Sequence, residues 1–238
     1  MHMNQMHYLP LAPEYFAILV GFFLLVVLLL AILRYAYLSL GVSSRTALLL
    51  LLASLVGSYF NIPLFQLQPE RVLSNQVEQY FGIYYVVPYV TDWGGTEIAI
   101  NVGGAVIPTL MSIYLLFKHQ LWLSGGIATA IVAVLLHFLA DPVPGLGIAI
   151  PIFWPAVITA IVALVLAPND AAPLAYIAGS MGTLIGADLS NFNQVRGLGA
   201  PVASIGGAGT FDAIFLIGIL AVLLASLYHP RRHAMAQS

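Results

Sequence analysis

Ten polar side chains interrupt an otherwise apolar chain at positions where chemistry could occur: Asn61, Asp92, Glu97, Asn101, Asp141, Asp188, Ser190, Asn191, Ser204 and Asp212. Carboxylates, amides and hydroxyls of this kind serve three purposes in apolar surroundings. They coordinate a cation, they relay a proton, or two carboxyl groups share one proton and activate water. Asp212 is the sharpest case. If the last apolar run is helical from Ser204, its carboxyl group lies about two turns in, too deep to face lipid cheaply. It must then meet protein, water or a ligand. Asn101 and Ser204 each open a glycine-rich stretch, Asn101-Val102-Gly103-Gly104 and Ser204-Ile205-Gly206-Gly207, and either side chain could donate to a ligand or to broken backbone.

Each candidate also has a structural reading. Asp92, Asp141 and Asp170 fall in expected loops, where an acid serves as a cap or turn residue. Glu97 in the first turn of an expected helix is favoured by the helix dipole. Asp188 sits at an expected helix C-terminus, where the dipole disfavours a carboxylate, so function and structure compete evenly. Asn101 and Ser204 could equally tie one helix to another, whereas for Asp212 the functional reading leads over a structural tie between helices 7 and 6. His137 and Asp141 stand four apart on one helical face and could relay a proton, but two such groups without a third make no metal site, and none is assigned. No Gly-x-Ser-x-Gly and no His-Glu-x-x-His occurs, which leaves serine and zinc hydrolysis without support.

The elements that would position these groups are helices. Of 238 residues, 61% are hydrophobic and only 7% charged, against about a quarter charged in soluble domains. Long continuous apolar runs, not short alternating ones, predict an all-α polytopic membrane protein. Seven spans are expected, near 16–40, 46–60, 96–117, 121–140, 148–167, 173–189 and 204–228, with Pro151 and Pro155 kinking the fifth. Segment 66–79 is expected to be a loop or short surface helix. Segment 81–90, aromatic and broken by Pro88, is expected to be interfacial or re-entrant. The Gly182-xxx-Gly186 spacing favours close helix packing.

Lys and Arg counts favour the N-terminus outside and the C-terminus inside: Arg34, Arg45, Lys118, Arg231 and Arg232 then share the cytoplasmic side. The first apolar run lacks a basic leader and a small-residue cleavage site and reads as a retained helix. Absence of cysteine excludes disulfides and thiolate chemistry, and a net charge of −2 argues against nucleic acid as a partner. No cofactor is implied. Membrane lipid, a small solute or a cation are the partners expected, and a homo-oligomer is compatible with the glycine faces.

Laying Asn101 on Ser204 aligns Gly103 with Gly206, Gly104 with Gly207 and Thr109 with Asp212. Ser54-Leu55-Val56-Gly57 then matches Thr183-Leu184-Ile185-Gly186. The chain is expected to be one transmembrane domain over 1–238, with parallel repeat units at 16–117 and 148–228 and a linker helix at 121–140.

Three resemblances bear on function. Ile185-Gly186-Ala187-Asp188 is similar to the Gly-x-Gly-Asp motif of presenilin-type intramembrane aspartyl proteases, but departs at the second glycine and lacks the Tyr-Asp partner. The 3-1-3 order is similar to that of SWEET sugar transporters, without their proline-glutamine signatures. Asn61-Ile62-Pro63, Asn101 to Gly104, Pro144 to Ile148, Gly186 to Leu189 and Ser204 to Asp212 together resemble a prokaryotic membrane-protein family of unknown function. That resemblance implies a location in the prokaryotic cytoplasmic membrane and imports no reaction. The leading expectation is a small permease-like or ligand-binding protein with a site at Asn101, Asp188, Asn191, Ser204 and Asp212. The alternatives are a hydrolase pairing Asp188 with Asp212 or Asp141, and a structural subunit.

Overall fold

A computed structural model describes residues 13–68, 70–80, 83–143, 147–195, 201–207 and 213–228. Asp212, Arg196, Arg231 and Arg232 lie outside the described residues, as do Pro144, Gly145 and Leu146. Helix dominates the described chain, in seven α-helices: α1 (Pro13–Ser39), α2 (Ser44–Gly57), α3 (Ile107–His119), α4 (Trp122–Leu139), α5 (Phe153–Leu166), α6 (Ala171–Thr183) and α7 (Ala213–Leu227). Among the described residues, three helical stretches are long and apolar enough to cross a membrane: Glu14–Ser39, Val102–His119 and Trp122–Leu139. The apolar helices α2, α5 and α7 are shorter.

The bundle is built around α6, whose small residues let neighbours approach closely. It packs against α3, α4, α5 and α7. A side-chain carbon on Gly179 would lie 3.0 Å from the Cα of Gly218 on α7, and one on Gly182 would lie 2.5 Å from Val132 on α4. Gly186 meets the backbone of Ala133 in the same way, so the Gly182 and Gly186 pair does seat against a helix, and that helix is α4. By contrast α1 touches mainly α2 and α7 and leaves its apolar side open, as a lipid-facing helix does. Gly126, on the outer side of α4, has nothing within 4 Å of an added carbon. Gly126→Ala is therefore expected to add about 1 kcal/mol of helix stability and to raise the thermal midpoint in detergent by roughly 3 °C.

The all-α expectation needs correction at one end of the bundle, where the chain forms strands. β1 (Asn61–Gln66) pairs antiparallel with β4 (Glu97–Asn101), and β4 pairs parallel with β7 (Val202–Ile205). β2 (Glu70–Tyr80) and β3 (Ile83–Trp93) form a hairpin in which Asn75 stands opposite Pro88, and β5 (Asp141–Val143) and β6 (Gly147–Ala149) form a shorter one. Where a loop or short surface helix is expected at 66–79, and an interfacial or re-entrant aromatic segment at 81–90, the described residues 70–80 and 83–93 are strands. The β-branched and aromatic content of Ile83 to Trp93 favours a strand once a partner strand exists. Glu97 is consequently a strand residue, not a helix N-terminal one, and the dipole argument for it falls. Ser204 also belongs to a strand. Gly206 and Gly207 follow it at φ +86° and +78°, in the left-handed region that glycine tolerates, and α7 is described over Ala213–Leu227.

Pro151 and Pro155 do not kink a span. α5 begins at Phe153, so Pro151 precedes it and Pro155 occupies its first turn, where a missing N–H costs nothing.

Candidate functional site

Two helices open into π-helical turns at the strand end. Val102–Val106 leads into α3, and Leu184–Leu189 continues α6. A π-turn inserted beside an α-helix is an irregularity often kept at functional sites, and such backbone survives at membrane depth only where protein or water satisfies it. Polar side chains provide that satisfaction here.

Asn101 is completely buried at the junction of β4 and the first π-turn. Its Oδ1 accepts the Gly104 N–H at 2.8 Å, capping the turn. Its Nδ2 donates to the Ser58 carbonyl at 2.8 Å and to Asn61 Oδ1 at 2.9 Å. The β1–β4 register sets Asn61 directly opposite Asn101. Asn61 Oδ1 also accepts the Ser204 hydroxyl at 2.8 Å. One amide oxygen thus joins β1, β4 and β7. Asn101 spends both donors internally and is a tie, whereas Asn61 is exposed and Ser204 half-buried.

The second π-turn carries Asp188, half-buried, whose Oδ2 accepts the Gly206 N–H at 2.8 Å. Gly206 lies two residues past Ser204, a spacing of roughly 7 Å along a strand. The Asp188 carboxylate is thus tied to the backbone just after β7, the strand that carries Ser204. Asn191 is buried and closes the end of this turn: its Nδ2 donates to the carbonyls of Gly186 (3.0 Å) and Ala187 (3.1 Å), and its Oδ1 accepts from Gln194 Nε2 (2.8 Å). Its role is to satisfy carbonyls that the π-turn leaves open.

The structure thus joins Asn61, Asn101 and Ser204 directly, and ties Asp188 to Gly206, two residues after Ser204. Carboxylate and hydroxyl oxygens suit a hard cation or a polyhydroxylated solute, while Asn61 Oδ1 is already filled by its two donors and only the Asn61 amide N–H groups remain to donate. Asp212 lies outside the described residues. Asp141 begins β5 and is exposed. His137 is half-buried on α4 and its Nδ1 has no hydrogen-bond partner, so it forms no relay with Asp141. No group of three metal-binding side chains occurs among the described residues.

Asn61, one of the ten polar candidates but not among the five residues of the expected site, turns out to be the hub. Its pairing with Asn101 follows from strand register, which no local pattern encodes. Also missed was a link at the opposite end of the bundle, where His119 Nδ1 lies 2.8 Å from Asp170 Oδ1 beside a cavity of about 260 Å³. That carboxylate is 40% exposed, so the pair is worth below about 1 kcal/mol.

One family, described as a protein of unknown function (DUF1614), matches the chain over residues 55–224. That stretch includes every residue of the polar cluster. No curated protein and no solved structure gives a match.

Proposed function

The chain belongs to this family of unknown function, and we propose that it is a small permease-like membrane protein that binds a cation or polar solute at the paired π-turns. The observation that carries the reading is the Asp188 carboxylate, which accepts the Gly206 N–H two residues after Ser204, whose hydroxyl in turn joins the exposed Asn61. Ionisable side chains within membrane helices are expensive and mark ion or solute pathways, and discontinuous helices commonly line such sites in transporters.

Two further features support it. Tyr37 on α1, Ser54 on α2, and Tyr176 and Ser180 on α6 bring buried hydroxyls together in the bundle below the site, with the two tyrosine rings 6.4 Å apart. β4 and β7 run parallel, and each leads through a Gly-Gly pair toward a helix, α3 and α7, an arrangement that suits two related three-helix units flanking α4. The accompanying topology has seven membrane-inserted segments, with the N-terminus outside and the C-terminus in the cytoplasm of a prokaryotic cell. It places the strand end outside and Arg34, Arg45 and Lys118 inside.

In proteoliposomes, Asp188→Asn keeps an acceptor for the Gly206 N–H but removes the charge. It is expected to lower proton- or cation-driven solute uptake at least tenfold while the thermal midpoint stays within a few degrees. Uptake unchanged by the substitution, or no uptake above empty liposomes for any screened cation and solute, would sink the reading.

A further inference from the structure

The outer surface between α2 and α3 carries an apolar groove of about 370 Å³, with Val42, Leu50 and Ala53 on one side and Ile107, Leu110 and Tyr114 on the other. From Ile107 to Tyr114 it extends roughly 10 Å along α3. Its walls face outward: Leu110 is 61% exposed and Tyr114 48%. Thr46 also lines it, but that hydroxyl is engaged with Ser43 at 2.8 Å, so the groove offers an occupant almost nothing polar.

One end of the groove is different. Lys118 lies one turn beyond Tyr114, with its ammonium 5.6 Å from the ring centroid. The same ammonium donates to the Gly41 carbonyl in the α1–α2 turn. Arg34 donates to Ser44 Oγ from Nε (3.1 Å) and Nη2 (2.6 Å), and Arg45 follows Ser44, exposed, next to groove-lining Thr46. Three cations are thereby gathered around residues 41–45. The described acid at this end, Asp170, is engaged by His119.

We infer that this groove and its cationic rim bind one anionic phospholipid, with an acyl chain along Leu50 and Leu110 and the headgroup phosphate at Arg34, Arg45 and Lys118. Charge complementarity selects this occupant. A packed helix needs an apolar seam of several turns, whereas this groove spans about two turns and ends at cations. A second copy of the chain would bring the same three cations against themselves. A phospholipid satisfies both halves, since basic pockets between membrane helices take anionic headgroups and each basic residue adds about fivefold in affinity. The inference rests on the chain lying in a membrane, not on the solute site, so the two can fail separately.

The test is native mass spectrometry of the full chain from micelles holding equal phosphatidylglycerol and phosphatidylcholine. Wild type is expected to retain phosphatidylglycerol at least tenfold over phosphatidylcholine. Arg45→Ala with Lys118→Ala should cut that retention roughly 25-fold, and Leu110→Trp, which fills the groove without altering charge, should cut it by a similar order. Thermal midpoints measured without added lipid identify any variant that has merely lost its fold, and Leu110→Ser then replaces Leu110→Trp. Equal retention of the two lipids by wild type overturns the proposal, as does full retention by the folded double variant. Loss on charge removal but none on groove filling shows headgroup attraction alone and overturns the groove. Displacement by soluble glycerol phosphate at equal concentration overturns the lipid in favour of a free phosphate.

Discussion

Gly103→Val is expected to leave almost no folded protein, with monodisperse yield from detergent extraction falling at least tenfold. A side-chain carbon at Gly103 would lie 2.1 Å from the Ser54 carbonyl oxygen, 2.3 Å from the Ser58 nitrogen and 2.8 Å from the Ser58 Cα. Those first two atoms already form a hydrogen bond of 3.0 Å in the last turn of α2, so the new carbon would wedge into a closed backbone bond. No side chain can swing aside to relieve it. The first π-turn would have to move away from α2, taking with it the Asn101 bonds to Ser58 and Asn61. A clash against backbone at both ends puts the cost on the order of 4 kcal/mol or more, beyond the usual range for overpacking. Gly103→Ala meets the same atoms and is expected to fail nearly as badly. That outcome separates a steric requirement from a mere preference for flexibility, which alanine would relax by only about 1 kcal/mol. Recovery of Gly103→Ala at wild-type yield and midpoint would show that the close approach of α2 and the π-turn is not required.

Asn101→Leu is the second large effect. Leucine matches the volume of asparagine approximately but makes none of its three hydrogen bonds. The Gly104 N–H and the Ser58 carbonyl would then lose a partner at a fully buried position, and each buried unsatisfied group costs about 1–3 kcal/mol. A total near 4 kcal/mol corresponds to a midpoint lowered by roughly 10 °C. Ser204→Ala serves as the contrast. It removes one bond to Asn61 from a half-buried hydroxyl, leaves no buried backbone group unpaired, and should cost below about 1 kcal/mol. If the two substitutions lowered the midpoint equally, Asn101 would not be the tie described. If Ser204→Ala impaired solute uptake while leaving the midpoint unchanged, the division between a buried tie and a half-buried ligand group would gain direct support.

The polar cluster was partly legible in advance because polarity in an apolar chain is itself informative. Asn101, Asp188 and Ser204 were identified by type and position, and all three lie at the strand end of the bundle. Their roles were not legible. Asn101 and Asn191 have the residue type of a ligand, but both spend their amide groups on carbonyls and N–H groups released by the π-turns. Whether an amide faces a ligand or the backbone depends on where its helix breaks register, and a π-turn changes that register by one residue without altering composition. The glycines were similarly half-read. Gly182 and Gly186 signalled close packing, and their partner is α4. Gly206 was expected inside a helix and instead follows a strand at positive φ.

By itself the sequence determined that this chain is predominantly helical and apolar, because burial in lipid or in a bundle requires long uncharged runs whatever their neighbours are. It also determined where polarity would interrupt them, and its motifs placed the chain in its family. Tertiary structure alone decided that β1, β2, β3, β4 and β7 form sheets. A strand is stabilised by its partner, and β4 takes one partner from just after α2 and the other from just before α7. Those pairings are set by distant segments meeting at one end of the bundle. The same meeting places Asn61 against Asn101 and Ser204, and the Asp188 carboxylate against the Gly206 N–H.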